Sequence, residues 1–104
     1  MKKFNLYLTQ PAADDLKGIS DYIAHELREP SVARKLVGKI KKTVMSLAEM
    51  PTRHAVVADE ELALQGIRKL IVNNYIVFYV VSEGEVTVTV VRILYGRRNW
   101  INLL

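Results

Sequence analysis

Cysteine is absent from the 104-residue sequence, so neither disulfides nor thiolate-bound metals contribute to its fold. This absence suits a reducing compartment, and we expect a cytoplasmic protein. Long apolar runs are absent too, because no segment approaches the roughly 20 residues that span a bilayer. The N-terminal stretch MKKFNLYLTQP lacks the apolar core of a signal peptide. The sequence therefore predicts no contact with a membrane.

The motifs of most enzyme classes are missing as well. The sequence contains no glycine-rich phosphate loop and no GxSxG elbow. Its two histidines, His25 and His54, have no partner at metal-ligand spacing, so we expect no metal and no cofactor. His25 falls on the polar side of a predicted helix, as solvated histidines commonly do. His54 lies beside Arg53, where a histidine in a basic site is able to move protons near neutral pH.

Apolar residues and positive charge are what the chain does have. Half of its residues are hydrophobic, which is enough for the core of a single domain over residues 1–104. Lysine and arginine number 15 against 11 acidic residues, a net charge of +4. This balance points to an acidic partner, either a nucleic acid or an acidic protein, although proteins that bind neither often carry such a charge.

The spacing of apolar residues predicts a short strand at 3–9 followed by two consecutive helices. Pro11 suits the first turn of the first helix, and Pro30 ends it. Ser31 is the expected cap of the second helix, which ends before Pro51. Because the break between the helices is short, we expect an antiparallel helical hairpin.

The second half of the chain is typical of β-strands. Strands are predicted at 65–72, 75–82 and 85–95, after a loop at 52–64. Asn73-Asn74 and Glu83-Gly84 are expected to form the two turns of an antiparallel meander. The order β-α-α-β-β-β predicts an α+β fold in which the helical hairpin packs on one face of an antiparallel sheet. The expected core comprises Leu16, Ile19, Ile23, Leu36, Ile40, Val44, Leu47, Val77 and Val90.

Basic residues collect at two places. Lys35, Lys39 and Lys42 line one side of the second helix, most often the sign of a solvated face. No acidic residue balances them between Ser31 and Ala48. The sheet carries a second set: Arg68, Lys69, Arg92, Tyr95, Arg97 and Arg98.

We expect Arg68 and Arg92 to lie close together, since the second and last strands both flank the third. Clustered guanidinium groups repel one another unless an anion joins them, either a phosphate or a carboxylate-rich segment of another protein. The alternative for Arg92 is an internal salt bridge, for example to Glu60 or Glu61.

Four stretches of the sequence are familiar. GIRKLIVNNYIVFYVV and VVRILYGRRN resemble the RelE/ParE superfamily of bacterial toxins, QPAADDLKGISDYIAHEL resembles its first helix, and LAEMPTR resembles the end of its second. The resemblance implies the same β-α-α-β-β-β fold. It also implies the toxin of a type II toxin–antitoxin module, held by an antitoxin that is often acidic and disordered until bound. Lys35, Lys39 and Lys42 are the expected antitoxin contacts.

The superfamily has two activities. RelE-like members cleave mRNA on the ribosome, and ParE-like members poison DNA gyrase. Ile71 and Ile76 stand where RelE-like toxins often have arginine. The ParE-like features are Gly66, Arg68, Lys69 and the VFY of Val77, Phe78 and Tyr79. Tyr95 stands where ParE-like and some nuclease members have histidine. These positions favour the gyrase inhibitor.

Each activity implies its own site. As a gyrase inhibitor the chain performs no chemistry, and its target contacts are Arg68, Arg92, Arg97 and Arg98. As a nuclease, it binds the phosphate through Arg68, Lys69, Arg97 and Arg98, while Tyr95 or, more weakly, His54 transfers protons. A non-toxic relative of the fold is a third possibility. The sequence therefore leaves open whether the chain is an enzyme.

Overall fold

The structure is a computed structural model, and it describes residues 3–96 and 103–104. The strands are β1 (Asn5–Leu8), β2 (Arg68–Val72), β3 (Tyr75–Ser82) and β4 (Thr87–Tyr95), and the α-helices are α1 (Gln10–Asp21), α2 (Pro30–Ser46) and α3 (Glu60–Leu64). A π-helical turn, Tyr22–Glu26, continues α1, and a 3₁₀ turn, Pro51–Arg53, follows α2. In this part of the chain no helix has both the length and the apolar composition that a bilayer requires.

The four strands form one sheet in the order β1-β4-β3-β2. Strands β2, β3 and β4 make the predicted antiparallel meander, and the N-terminal strand extends it as predicted. β1 runs parallel to β4, with Leu6 opposite Val88. The order therefore places β1 and β2 at the two edges of the sheet.

Local sequence explains where the two long helices begin. The Thr9 hydroxyl accepts a hydrogen bond from the backbone N–H of Ala12 at 3.2 Å, which caps α1. α2 begins at Pro30, two residues earlier than a helix capped by Ser31 would, so Ser31 is not its cap. Proline suits the first helical position because its missing N–H would be unpaired there. Glu29 is the cap residue, and its side chain makes no capping bond.

The main core lies between the helical hairpin and one face of the sheet, called here the helical face. Seven of the predicted core residues are buried there: Ile23, Leu36, Ile40, Val44, Leu47, Val77 and Val90. Leu16 and Ile19 are partly buried and pack against this core. The prediction of a hairpin covering one face is therefore confirmed.

The opposite face of the sheet carries a smaller apolar cluster that includes Phe78, Ile76 and Leu94. Helix α3 covers part of it through Leu62, so the prediction of loop at 52–64 was wrong for this segment. An Asp59 carboxylate oxygen accepts a hydrogen bond from the Leu62 N–H at 3.0 Å, which caps the helix.

The two turns of the meander differ in how well they follow the sequence pattern. Asn73 adopts the expected left-handed backbone, with φ of 53°. The turn between β3 and β4 is longer than Glu83-Gly84, because Ser82 pairs with Thr87 and leaves residues 83–86 as the loop. Its left-handed residue is Val86, with φ of 54°, a conformation that β-branched residues rarely adopt.

Candidate functional site

Arg68 fastens the loop after α2 to the edge of the sheet. Its Nη1 donates to the backbone carbonyls of His54, at 2.5 Å, and Thr52, at 3.3 Å. Beside it, the hydroxyl of Tyr79 donates to the carbonyl of Pro51 at 2.6 Å. Among residues 3–96 and 103–104, no group pairs with the other donors of Arg68. The side chain therefore has a structural role and retains donors for a ligand.

Arg92 is engaged inside the fold. Its Nε and Nη2 bond both carboxylate oxygens of Asp15, at 2.7 and 2.8 Å, and its Nη1 donates to the Leu103 carbonyl at 3.0 Å. The pKa of Arg92 is raised, chiefly by the hydrogen bond to Asp15. An internal partner was foreseen, but Glu60 and Glu61 were the wrong candidates. α1 starts beside the open edge of β4 and brings Asp15 there.

The expected meeting of Arg68 and Arg92 does not occur. Across β3, Arg68 at the start of β2 lies level with Val90 in the middle of β4, and Lys69 lies level with Arg92. Arg68 faces Tyr79 on the helical face, whereas Arg92 faces Phe78 on the opposite face. Lys69 also pairs with Phe78, so it shares the face of Arg92 and not that of Arg68.

Tyr95 belongs to a group of three tyrosines, Tyr22, Tyr75 and Tyr95, which we call the tyrosine cluster. The rings of Tyr75 and Tyr95 meet edge to face with centroids 5.7 Å apart. Burial raises the pKa of Tyr75, and Tyr95 and Tyr22 raise it further. Sequence reasoning missed Tyr22 and Tyr75. The two-residue turn expected at Glu83-Gly84 would set Tyr75 opposite Arg92, whereas the longer loop and a bulge in the pairing of β3 with β4 set it opposite Tyr95.

The tyrosine cluster is remote from Arg68. Tyr95 pairs with Tyr75, which pairs with Val72, and Val72 is four positions along β2 from Arg68. Four residues of strand span about 13 Å. Arg68 and Tyr95 therefore lie near opposite ends of β2.

The predicted lysine stripe of α2 is exposed. Lys39 donates from Nζ to the side-chain oxygen of Asn73 at 2.7 Å, so the stripe runs past the β2–β3 turn. Lys35 and Lys42 are exposed on the same flank of the helix. The three lysines thus form one positive surface beside the turn.

His54 is poorly placed for proton transfer. Its Nε2 is buried without a hydrogen-bond partner among the described residues, and its ring meets Tyr79 edge on. Burial, and then the charge of Arg53, lower the pKa of His54.

Arg97 and Arg98 lie outside the described residues. Within residues 3–96 and 103–104, no cluster of three or more histidine, aspartate or glutamate side chains is arranged to hold a metal ion.

Comparison with models of known protein families assigns the chain to a family. The family model described as the ParE toxin of the type II toxin–antitoxin system, parDE, matches residues 6–100. The chain belongs to the ParE toxin family. It is therefore the toxin component of a type II toxin–antitoxin system, as the resemblance implied. No curated protein sequence matches it significantly.

Solved structures agree with the family. A chain of the chromosomal ParDE system from P. aeruginosa superimposes on this ParE-family toxin with a TM-score of 0.74 at 25% identity, covering 91% of this chain and 98% of that one. A chain of the RelBE2 toxin–antitoxin complex of Mycobacterium tuberculosis superimposes with a TM-score of 0.66 at 16% identity, covering 89% of this chain and 98% of that one. A chain of the E. coli RelBE complex superimposes with a TM-score of 0.60 at 15% identity, covering 91% of this chain and 99% of that one. The two RelBE likenesses show a shared fold.

Proposed function

We propose that this ParE-family toxin inhibits DNA gyrase in the cytoplasm by binding it, without performing chemistry, and that a cognate antitoxin neutralises it. Family membership supports the ParE-like activity over the RelE-like one. The arrangement of the candidate residues is the structural observation that carries the proposal, and it concerns Arg68, Lys69 and Tyr95.

RNA cleavage would require these groups to converge. Cations must hold the phosphate while a neighbouring group moves a proton, all within hydrogen-bond reach of one reacting centre. Arg68 and Lys69 instead lie on opposite faces of the sheet, and Tyr95 is about 13 Å along the strands from Arg68. This separation supports a toxin whose arginines bind a partner rather than catalyse.

Two tyrosines of the proposed target surface are exposed. Tyr95 is 37% exposed and Tyr22 is 55% exposed, and both belong to the tyrosine cluster. Arg97 and Arg98 follow in sequence after Gly96. Tyrosine and arginine are the residue types that most often dominate the energy of protein interfaces. Arg68 contributes through its unpaired donors, whereas Arg92 is committed to Asp15.

Expression of the toxin in cells tests the proposal. Gyrase poisoning predicts growth arrest with DNA breaks and an SOS response while transcripts stay intact, and co-expression of the antitoxin should restore growth. Fragmented transcripts with intact DNA would instead identify a RelE-like nuclease. Healthy growth at confirmed protein levels, without the antitoxin, would identify a non-toxic relative of the fold.

A further inference from the structure

The lysine stripe of α2 carries charge that the rest of the described fold leaves unbalanced. Lys35, Lys39 and Lys42 follow one another at spacings of four and three residues, so they form one exposed ridge along the helix. Like charges at these spacings destabilise a helix. The one ion pair in the described part of the chain lies elsewhere, at Arg92, so no carboxylate there neutralises the stripe. A ridge that costs stability and has no internal counter-charge indicates an anionic ligand.

The stripe continues into an arginine at the end of α2. Ser46 lies on the same ridge, four residues after Lys42, and its hydroxyl accepts a hydrogen bond from Nη2 of Arg53 at 3.1 Å. Nη1 of Arg53 donates to the Glu49 carbonyl at 2.8 Å. These two bonds hold the guanidinium group at the C-terminal end of the ridge, although Arg53 lies outside the helix.

A second arginine, Arg68, lies beside Arg53. Its Nη1 donates to the backbone carbonyls of the two residues that flank Arg53 in the chain, Thr52 and His54. Both arginines also act on Tyr79, since burial raises the pKa of this tyrosine while the charges of Arg68 and then Arg53 act to lower it. Neither arginine pairs with a carboxylate in the described part of the chain. Neighbouring guanidinium groups of this kind repel one another unless an anion joins them, so this end of the stripe is suited to hold a phosphate.

The stripe also reaches the tyrosine cluster. Lys39 donates to the side-chain oxygen of Asn73 in the β2–β3 turn at 2.7 Å, and Tyr75 begins β3 just after that turn. Arg68 lies at the opposite end of β2. The lysines therefore run beside β2, between the two parts of the proposed target surface. We call the lysine stripe together with Arg53 and Arg68 the basic track.

We infer that the basic track binds the phosphate backbone of duplex DNA. From Lys35 to Ser46 the ridge rises about 17 Å, which matches about five successive phosphates of one DNA strand. The choice of DNA rests on the proposed function, because DNA gyrase acts on duplex DNA. A toxin that contacts both gyrase and the DNA held by gyrase would bind their complex more tightly than either one alone.

The chemistry of the basic track favours a nucleic acid over an acidic protein segment. Apart from its five cations it contributes only Ser46 and Asn73, and lysine, arginine, serine and asparagine are residue types that contact phosphate. Protein interfaces are depleted in lysine and depend on aromatic and other large anchors, which the track itself does not offer. The inference therefore assigns the lysine stripe to DNA rather than to the antitoxin.

Salt dependence measures how many phosphates the track neutralises. The probe is a short DNA duplex of arbitrary sequence, titrated with purified toxin at salt concentrations from about 50 to about 200 mM. Four or five phosphate contacts predict a slope of about −4 for log K against log salt, a loss of roughly 200-fold in affinity over this range. A toxin that leaves the duplex unbound at the lowest salt would overturn the inference.

Lys42→Gln and Lys41→Gln form a matched pair, because each removes one exposed positive charge from adjacent positions of α2. Lys42 lies on the ridge, whereas Lys41 lies on another side of the helix and lines a depression with Leu8 and Leu16. We expect Lys42→Gln to make the slope shallower by about 1 and Lys41→Gln to leave it within about 0.3 of wild type. Equal changes in the two variants would show that net charge alone attracts DNA, and the track would be refuted.

Two further titrations address other occupants of the track. The protein encoded by the neighbouring gene should bind the wild type and Lys42→Gln equally. Loss of that binding in Lys42→Gln, with unchanged affinity for DNA, would assign the stripe to the antitoxin and overturn the inference. Duplex RNA of the same length should bind no more tightly than DNA, and a tenfold preference for RNA would contradict the choice of DNA.

The DNA titrations contain no gyrase, so their outcome is distinct from that of the proposed function. A toxin that binds DNA through the basic track and fails to act on gyrase would refute the target and leave the track in place. A toxin that acts on gyrase without binding the free duplex would refute the track and leave the target in place.

Discussion

Arg92 illustrates why a single residue's role is hard to derive from its neighbours in sequence. It lies close in sequence to Arg97 and Arg98, yet it pairs with Asp15, which is 77 positions away. The same carboxylate accepts the Ile93 N–H at 3.0 Å, and the Thr9 hydroxyl donates to the Val91 carbonyl at 2.9 Å. These side chains make the hydrogen bonds to the edge of β4 that a partner strand would make, because β1 ends before this part of β4. Only the parallel pairing of β1 with β4 creates this contact.

Replacing Arg92 with alanine should lower the free energy of unfolding by about 2 kcal/mol. The side chains of the pair are 22% and 13% exposed, so the loss should be smaller than for a fully buried pair. Urea unfolding measures it, with Arg34→Ala on the exposed side of α2 as a control that should stay within about 0.5 kcal/mol. A loss as small as the control's would show that the ion pair does not hold the fold.

His54 should make stability depend on pH. Its pKa is lowered in the folded toxin, so the unfolded chain binds the proton more readily. The free energy of unfolding should therefore fall as the pH drops below about 6.5, and the fall should stop below the folded-state pKa. His54→Gln should show a shallower decline between pH 7.5 and 5 in urea unfolding. Parallel curves for the two proteins would contradict this assignment.

Among the elements, α3 was the one that sequence reasoning failed to find. The helix has five residues, too few for apolar periodicity to be recognised. Its ends nevertheless carried signals, namely the capping Asp59 and the left-handed Gly66, with φ of 78°. The two long helices were predictable because their apolar pattern repeats over several turns, and the three later strands because β-branched residues mark them.

The end of β4 should be required for toxicity. Gly96 lies close to the β2–β3 turn, since a Cβ at this position would be 3.2 Å from the Asn74 carbonyl oxygen. Arg97 and Arg98 follow it. Replacing both with alanine should abolish growth arrest. The free energy of unfolding, measured by thermal melting, should stay within about 0.5 kcal/mol of that of the wild type.

Two comparisons make that double variant informative. Arg92→Ala is the contrast, because it should lose stability. A double variant that melts normally and arrests growth fully would remove Arg97 and Arg98 from the target surface and leave Arg68 and the tyrosine cluster as its candidates.

At the scale of the whole molecule, the β-α-α-β-β-β order and the helix-covered face followed from periodicity and turn chemistry. The sequence predicted the candidate site less well than the fold. Arg68 and Arg92 were expected together because the second and last strands both flank the third, whereas the alternation of faces points them to opposite sides of the sheet. Residue types indicate which groups bind anions, but topology decides which of them act together.

Purified gyrase and supercoiled DNA provide the most direct test of the central claim, that this toxin binds gyrase and performs no chemistry. Adding the toxin should trap cleaved DNA, and adding the antitoxin should prevent it. The Arg97→Ala/Arg98→Ala variant should trap none. Ribosomes carrying mRNA, incubated with the same toxin, should keep their transcripts whole. Cut transcripts together with unaffected gyrase would contradict the account.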